Sequence, residues 1–394
     1  MSIEIVVAHN TEQLLPHRKA WTDLAAESLE RNAFYEPGFF LPAWTYLGAG
    51  KDWKVLLIYK GDVLIGFIPI SMRGTAGGLV MEMLKHAHSY FHAPLLHRSH
   101  ASKAVDAWLQ WCREKSGARL VVCAGIEVGG PVATALSDRL VAVGAACLER
   151  SHHARPLLNM SDVGEGYPRS VLGKRVGRDL NRRRRRLHEM GRVVVRESQV
   201  GDDVQPTAAA FLTLESAGWK GANGSALASK TAHAQFFEAM AQALHQEGLI
   251  KFYSLLLDDR PLAIEISLLV ERPTIGAFSF KTAFDESGDL RAFGPGNMLV
   301  ADAVMLLRQS QPELRWIDSC ARSANGFLAK LMPDSRTMAT FMFGVPGLKG
   351  RVVFETARLG LEARGVWQKL AVPFGQRPNV KTGPSAKISL SAAS

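Results

Sequence analysis

Four residues in the second half of the chain have the types and positions that proton or group transfer requires. Glu265 interrupts the apolar run LAIEISLLV, so its side chain faces either a polar cleft or the solvated side of a strand. Asp318 closes the short run LRWID, and the C-terminal end of a strand is where α/β enzymes commonly carry reactive groups. Asp285, just after FKTAF, fits a turn better, whereas Lys281 within that run is either a contact for a phosphate or acidic donor, or a solvated strand lysine. The carboxylates are candidate general bases, which must lie within hydrogen-bond reach of the proton they take. The stretch FGPGNML over 293–299 has glycines that let backbone amides approach an anion and a helix that begins at once. Pro295, Gly296, Asn297 and Met298 are therefore candidates for holding a phosphate, with an ordinary helix-capping turn as the alternative.

Trp219 and Lys220 follow a helix, and a large aromatic beside a cation either shapes a substrate pocket or covers the core. The run Arg182 to Arg186 lies on a helix in which Val176, Leu180, Leu187 and Met190 share one face. No aromatic residues interleave with it and no recognised nucleic-acid module surrounds it, so nucleic acid is not expected. An anionic lipid surface, an acidic glycan or cofactor phosphates fit better, and a solvated face is the plain alternative; Arg178 on the same helix is a substrate-contact candidate. His86, His88, His92, His97 and His100 match no common zinc spacing and have only Glu82 nearby, so no metal is expected. No Gly-x-Ser-x-Gly elbow occurs, which disfavours a serine hydrolase.

The elements that must position these residues alternate between α and β. Residues 54–72 and 250–270 each read as two β-rich runs with a tight turn between them, and aligning Gly61 and Asp62 with Asp258 and Asp259 makes the second hairpin a repeat of the first. Helices are predicted over 102–116, 131–143, 170–190, 207–217, 232–246, 297–309 and 355–370, and strands over 119–124, 192–196, 274–283 and 314–318. The breaker-rich segment 161–169 marks a junction, which divides the chain into modules over 1–165 and 166–372 and leaves a tail over 373–394 that reads as disordered.

Composition bounds the class. With 394 residues, 47% apolar and 21% charged, the chain is globular and long enough for two domains. The net charge of +10 favours an anionic partner. Four dispersed cysteines without a CxxC pair, no signal peptide and no charge-free window of spanning length point to a cytoplasmic protein, with peripheral membrane contact left open.

The passage LESAGWKGANGSAL over 214–227, with FKTAFDE, FGPGNML and IDSCA in that order, resembles the CelD-like branch of the GNAT acyltransferases. YEPGFFLPAW, IGFIPI and HSYFHAPLL in the first half agree with it more loosely. The resemblance implies two GNAT-like modules, each a mixed twisted sheet flanked by helices and related to the Fem-type transferases, with an acyl-CoA cosubstrate held by the second. It implies N-acyl transfer by direct attack in a ternary complex, with the acyl group passing to an amino group of a polysaccharide or a lipid-linked sugar. Alternatives are a sphingoid-type amine receiving a fatty acyl group, or a non-catalytic regulatory or glycan-binding protein. In that frame Asp318, Glu265 and Lys281 are catalytic candidates, Pro295 to Met298 hold the cofactor, and Trp219, Lys220, Arg178 and His92 face the substrate, His92 from a loop beside the cleft between modules. The chain departs from the family in reading ARSANGFLAKLM where relatives carry proline and His-Pro or tryptophan.

Overall fold

The computed structural model describes residues 2–164, 166–271, 275–322 and 326–363. The predicted tail over 373–394, the last part of the helix predicted over 355–370, and Thr274 at the start of one predicted strand lie outside them.

The first half of the chain supplies β1 (Ile3–Ala8), β2 (Trp53–Lys60), β3 (Val63–Thr75), β4 (Gly78–Met83), β5 (Leu95–Leu96), β6 (Ala118–Glu127) and β7 (Cys147–Asn159). The second supplies β8 (Val193–Glu197), β9 (Ile250–Leu257), β10 (Arg260–Val270), β11 (Gly276–Phe284), β12 (Trp316–Asp318) and β13 (Asp334–Gly344). All join one sheet in the order β1-β2-β3-β4-β6-β13-β7-β12-β11-β10-β9-β8, with β5 beside β3.

The two halves repeat one another. Three antiparallel pairings lead through β1 to β4 and again through β8 to β11. Each series ends in a parallel pair, β4 with β6 and β11 with β12. Both predicted hairpins are present; in the second, Asp258 and Asp259 take the left-handed conformation with φ of 47° and 68°, as a two-residue turn between right-twisting strands demands. The halves also exchange elements at the centre. β13, from the end of the described chain, pairs antiparallel with both β6 and β7, and β7 pairs with β12.

Helices cover both halves. Pro37–Leu47 of the first half packs on Thr231–Gln246 of the second, and Phe39 meets Phe236 with ring centroids 5.4 Å apart. A large core runs from the first half into this contact, and a second lies under Arg169–His188 and Pro295–Ser310. A third, small cluster joins Val80, Leu120, Leu148, Met342 and Phe354 beneath Leu348–Ala363.

Two expectations are corrected. The arginine-rich helix ends at His188, so Met190 falls beyond it and is 50% exposed, away from the apolar face that Leu180 and Leu187 form. The last helix begins at Leu348, not Glu355, because Gly344 and Gly350 allow the chain to turn tightly out of β13: a Cβ on Gly350 would lie 2.0 Å from the Val345 carbonyl oxygen.

Candidate active site

β11 and β12 run in parallel only from Gly276 opposite Trp316 to Phe278 opposite Asp318, and beyond that point they part. The side chains that follow Phe278 on β11 join a buried polar group. The pairing of β10 with β11 slips here, Ile266 facing Lys281 while Ser267 faces Ser279, so Phe280 is an extra residue on β11. That bulge reverses the alternation of the strand. Ser279 and Thr282, which would point to opposite faces of a regular strand, both reach Glu265: Ser279 Oγ donates to Oε1 at 2.6 Å and Thr282 Oγ1 donates to Oε2.

Glu265 is fully buried, and burial raises its pKa to about 7 against the pull of the Ser279 and Thr282 hydroxyls and of Lys220. A second buried carboxylate, Glu215 at the end of helix Gln205–Ala217, ties in two lysines. Lys220 Nζ lies 3.0 Å from Glu215 Oε1 and donates to the Thr282 carbonyl at 3.3 Å; Lys281 Nζ is 3.9 Å from the same carboxylate oxygen. Glu215 Oε2 also accepts the Leu227 N–H at 2.7 Å, which fixes the loop after Lys220. Lys281 is largely buried and its pKa is lowered by that burial. Its ammonium lies over the rings of Phe280 and Tyr90, 5.6 and 6.0 Å from their centroids.

The Trp-Lys-Gly turn therefore has an internal logic. Gly221 is pressed onto helix Gln205–Ala217, where a Cβ would sit 1.8 Å from the Ser216 carbonyl oxygen, and this contact turns Lys220 inward. Trp219 is turned out and is 55% exposed, its N–H 3.4 Å from Glu286 Oε2.

Asp318 is completely buried at the end of β12, where Oδ1 accepts the Cys320 N–H at 2.7 Å. Its Oδ2 lies 3.5 Å from both Arg155 Nη1 of β7 and Arg336 Nε of β13. The carboxylate thus sits between guanidiniums of β7 and β13.

Pro295, Gly296 and Met298 are buried, and Asn297 is exposed. Gly294 is the N-cap in the left-handed conformation, Pro295 occupies the first turn, and no side chain caps the helix. Gly296 allows a close approach to Phe284, whose ring carbon would lie 2.8 Å from a Cβ there. Arg183 Nη1 donates to the Ala292 carbonyl at 3.1 Å, beside this uncapped end of a sixteen-residue helix, and Arg186 lies over the Phe293 ring. Uncapped N–H groups, the helix dipole and a guanidinium together suit a phosphate. Arg178, by contrast, is exposed on the same arginine-rich helix and donates to the Lys174 carbonyl at 3.1 Å. Asp285 accepts from the Ser287 N–H and Oγ and pairs with Arg260, as a turn residue does.

His92 lines a cavity of about 1180 Å³, with Tyr90. His92 Nδ1 faces the Ala124 carbonyl at 3.1 Å and must carry the proton; Nε2 then accepts from Ser89 Oγ at 3.0 Å. Gly125, with φ of +69°, makes room for the ring, since a Cβ there would be 2.5 Å from Nδ1. Burial lowers the His92 pKa to about 4, so the imidazole is neutral at pH 7. Among the described residues no group of three or more His, Cys, Asp or Glu is placed to hold a metal ion.

The structure thus brings Lys220, Glu265 and Lys281 together, puts His92 in the neighbouring cavity, leaves Trp219 and Arg178 exposed, pairs Asp318 with Arg155 and Arg336, and sets the 295–298 stretch at a helix start. Sequence reasoning missed Glu215, Thr282, Ser279 and Tyr90. Glu215 stands inside the recognised LESAGWKG passage and Tyr90 inside HSYFHAPLL, so both were within reach; the two hydroxyls depend on a bulge that no spacing announces.

Residues 174–323 match the family model of the acetyltransferase (GNAT) domain. Among solved structures, the C-terminal domain of a putative lysylphosphatidylglycerol synthetase from Agrobacterium fabrum is 12% identical, covering 87% of this chain and 96% of that one with a TM-score of 0.53. FemX is 10% identical over 87% and 97% of the two chains, also at 0.53. A conserved protein of unknown function from Bacteroides thetaiotaomicron is 14% identical over 86% and 99%, at 0.53. No curated protein sequence matches the chain. The fold is that of tandem GNAT modules.

Proposed function

We propose that the protein is an acyl-CoA-dependent N-acyltransferase of the CelD-like branch, with its reactive group where β11 and β12 part. The observation that carries this reading is the buried Lys281–Glu215–Lys220–Glu265 group at that opening, in a sheet whose next helix starts uncapped beside Arg183. The Gly294–Asn297 turn and Arg183 would hold the phosphates of acyl-CoA, which supplies an activated thioester when bound.

An amine arriving as its ammonium must lose a proton before it can attack. Glu265, with a pKa raised to about 7 by burial, is matched to that proton at neutral pH. Both its oxygens are occupied by hydroxyls, so the proton travels by relay: Thr282 passes its hydroxyl hydrogen to Glu265 and takes one from the amine. The Lys281 ammonium stabilises the oxyanion that forms as the N–C bond is made. When the C–S bond breaks, the sulfur leaves as thiolate and takes the second proton shed by the acylated nitrogen, while Glu265 returns the first to solvent. Lys220 and Glu215 position this group through the Thr282 carbonyl and the Lys281 ammonium. Asp318, held between Arg155 and Arg336, locks the junction of the exchanged strands in place and sits outside the proton path.

The acceptor of this reading is an amino group on a sugar of a cell-surface polysaccharide or of its lipid-linked precursor. Lys174, Arg175, Arg178 and Arg185 are exposed along one helix and suit an anionic membrane face at the cytoplasmic side. No helix among the described residues is long and apolar enough to cross a membrane. Release of free thiol from acetyl-CoA and palmitoyl-CoA, measured with amino-sugar acceptors and with sphinganine, tests the assignment. Acceptor-dependent release is expected, lowered by about 10²-fold in Lys281→Met and in Glu265→Gln without loss of acyl-CoA binding; turnover unchanged in both variants would remove the assigned group.

A further inference from the structure

The cavity beside the reactive group has a composition of its own. It opens between the first-half strands β4, β6 and β7, the second-half strand β13 and the last helix, and it ends at Tyr90, whose ring is 6.0 Å from the Lys281 ammonium. One wall is apolar: Val80, Leu120 and Met342 of the small third cluster, with Val122, Val353 and Leu361 packed against them. The other is cationic. Its one carboxylate, Glu82, is held by Arg73 at 2.9 Å, which leaves Lys85, Arg150, Arg155 and Arg322 to face the space.

Arg155 is the informative one. It is 3% exposed, and among the described residues its Nε and Nη1 have no hydrogen-bond partner. Asp318 stays 3.5 Å away and is shared with Arg336, and only Nη2 is satisfied, by the Tyr90 carbonyl at 2.7 Å. A buried guanidinium short of acceptors is costly unless something supplies them.

We infer that this cavity is the acceptor site and that the acceptor is an anionic amphiphile. Resting on the acyltransferase reading above, the inference adds the chemical class of the acceptor: a phosphate or carboxylate bound at Arg155, Arg150 and Arg322, an alkyl or polyprenyl chain along the Val80 to Leu361 wall, and the amine carried past Tyr90 toward Lys281. A neutral sugar leaves the guanidiniums unmatched, and a small anion leaves the apolar wall wet.

Isothermal titration of the full chain with dodecyl phosphate, dodecyl maltoside and inorganic phosphate tests this, with the detergents below their micellar concentrations. Dodecyl phosphate is expected to bind saturably, at least ~10-fold more tightly than either of the others, and Arg150→Ala with Arg322→Ala, both at positions outside the core, to weaken it by ~10-fold or more. Equal binding of dodecyl maltoside would overturn recognition of the anion, and equal binding of inorganic phosphate would overturn recognition of the chain. Displacement of dodecyl phosphate by acetyl-CoA would overturn the acceptor assignment, because the space would then belong to the donor. A separate titration with acetyl-CoA and palmitoyl-CoA alone reads the acyltransferase proposal itself, so either can fail without the other.

Discussion

Two residues divide the chemistry, and each predicts a different kinetic loss. Lys281→Met is expected to lower kcat by about 10²-fold with little change in acyl-CoA affinity, since an oxyanion donor acts only in the transition state. Glu265→Gln is expected to lower kcat by about 10²-fold or more and to remove the rise in rate as pH passes through about 7, which a pH–rate profile will show. The same carboxyl has a stability signature. Its folded pKa lies above its ordinary value of 4.5, so the stability it contributes is present below about 4.5 and is lost as pH rises through about 7. Glu265→Gln should therefore gain stability relative to the wild type between pH 5 and pH 8, by up to ~3 kcal/mol in denaturant titrations. The acid was visible in the sequence because it breaks an apolar run, and Lys281 because it sits in FKTAF. Their connection was not, since it passes through Glu215, which is twelve residues from its Leu227 contact.

At the scale of elements, the two hairpins and most helices were legible because period and turn chemistry act locally. β7 and β13 escaped for a physical reason. They lie at the centre of the sheet yet carry Arg155 and Arg336, whose charges are tolerated only because Asp318 arrives from a third strand. Arg155→Met should accordingly cost more than an ordinary surface change, about 3–5 kcal/mol, because it leaves the fully buried Asp318 with Arg336 alone. The Trp-Lys-Gly turn makes a complementary prediction. Gly221→Ala must displace the Ser216 carbonyl, and a loss of about 1–3 kcal/mol in thermal unfolding is expected, whereas Trp219→Ala, at an exposed position, should change stability by less than about 0.5 kcal/mol.

Across the whole molecule, the repeat of β1 to β4 in β8 to β11 was anticipated by the two matching hairpins, but the exchange of strands was not. A division near residue 165 gives each half its own helices and hairpin; the sheet nevertheless places β13 inside the first half and pairs β7 with β12. The segment 166–363 expressed alone would leave the edges of β12 and β13 unpaired, and it is expected to aggregate or to need the 1–165 segment in trans for solubility. The arrangement also accounts for a site assembled from both halves, with Tyr90 and His92 from one and Lys281 and Glu265 from the other. The account as a whole depends on an acyl-CoA bound at the Gly294–Asn297 turn. Thermal unfolding with acetyl-CoA and palmitoyl-CoA tests that most directly. At 100 times its dissociation constant a bound donor should add about 2.7 kcal/mol of stability, and Arg183→Glu should abolish the gain. No shift with either donor in the wild-type protein would contradict it.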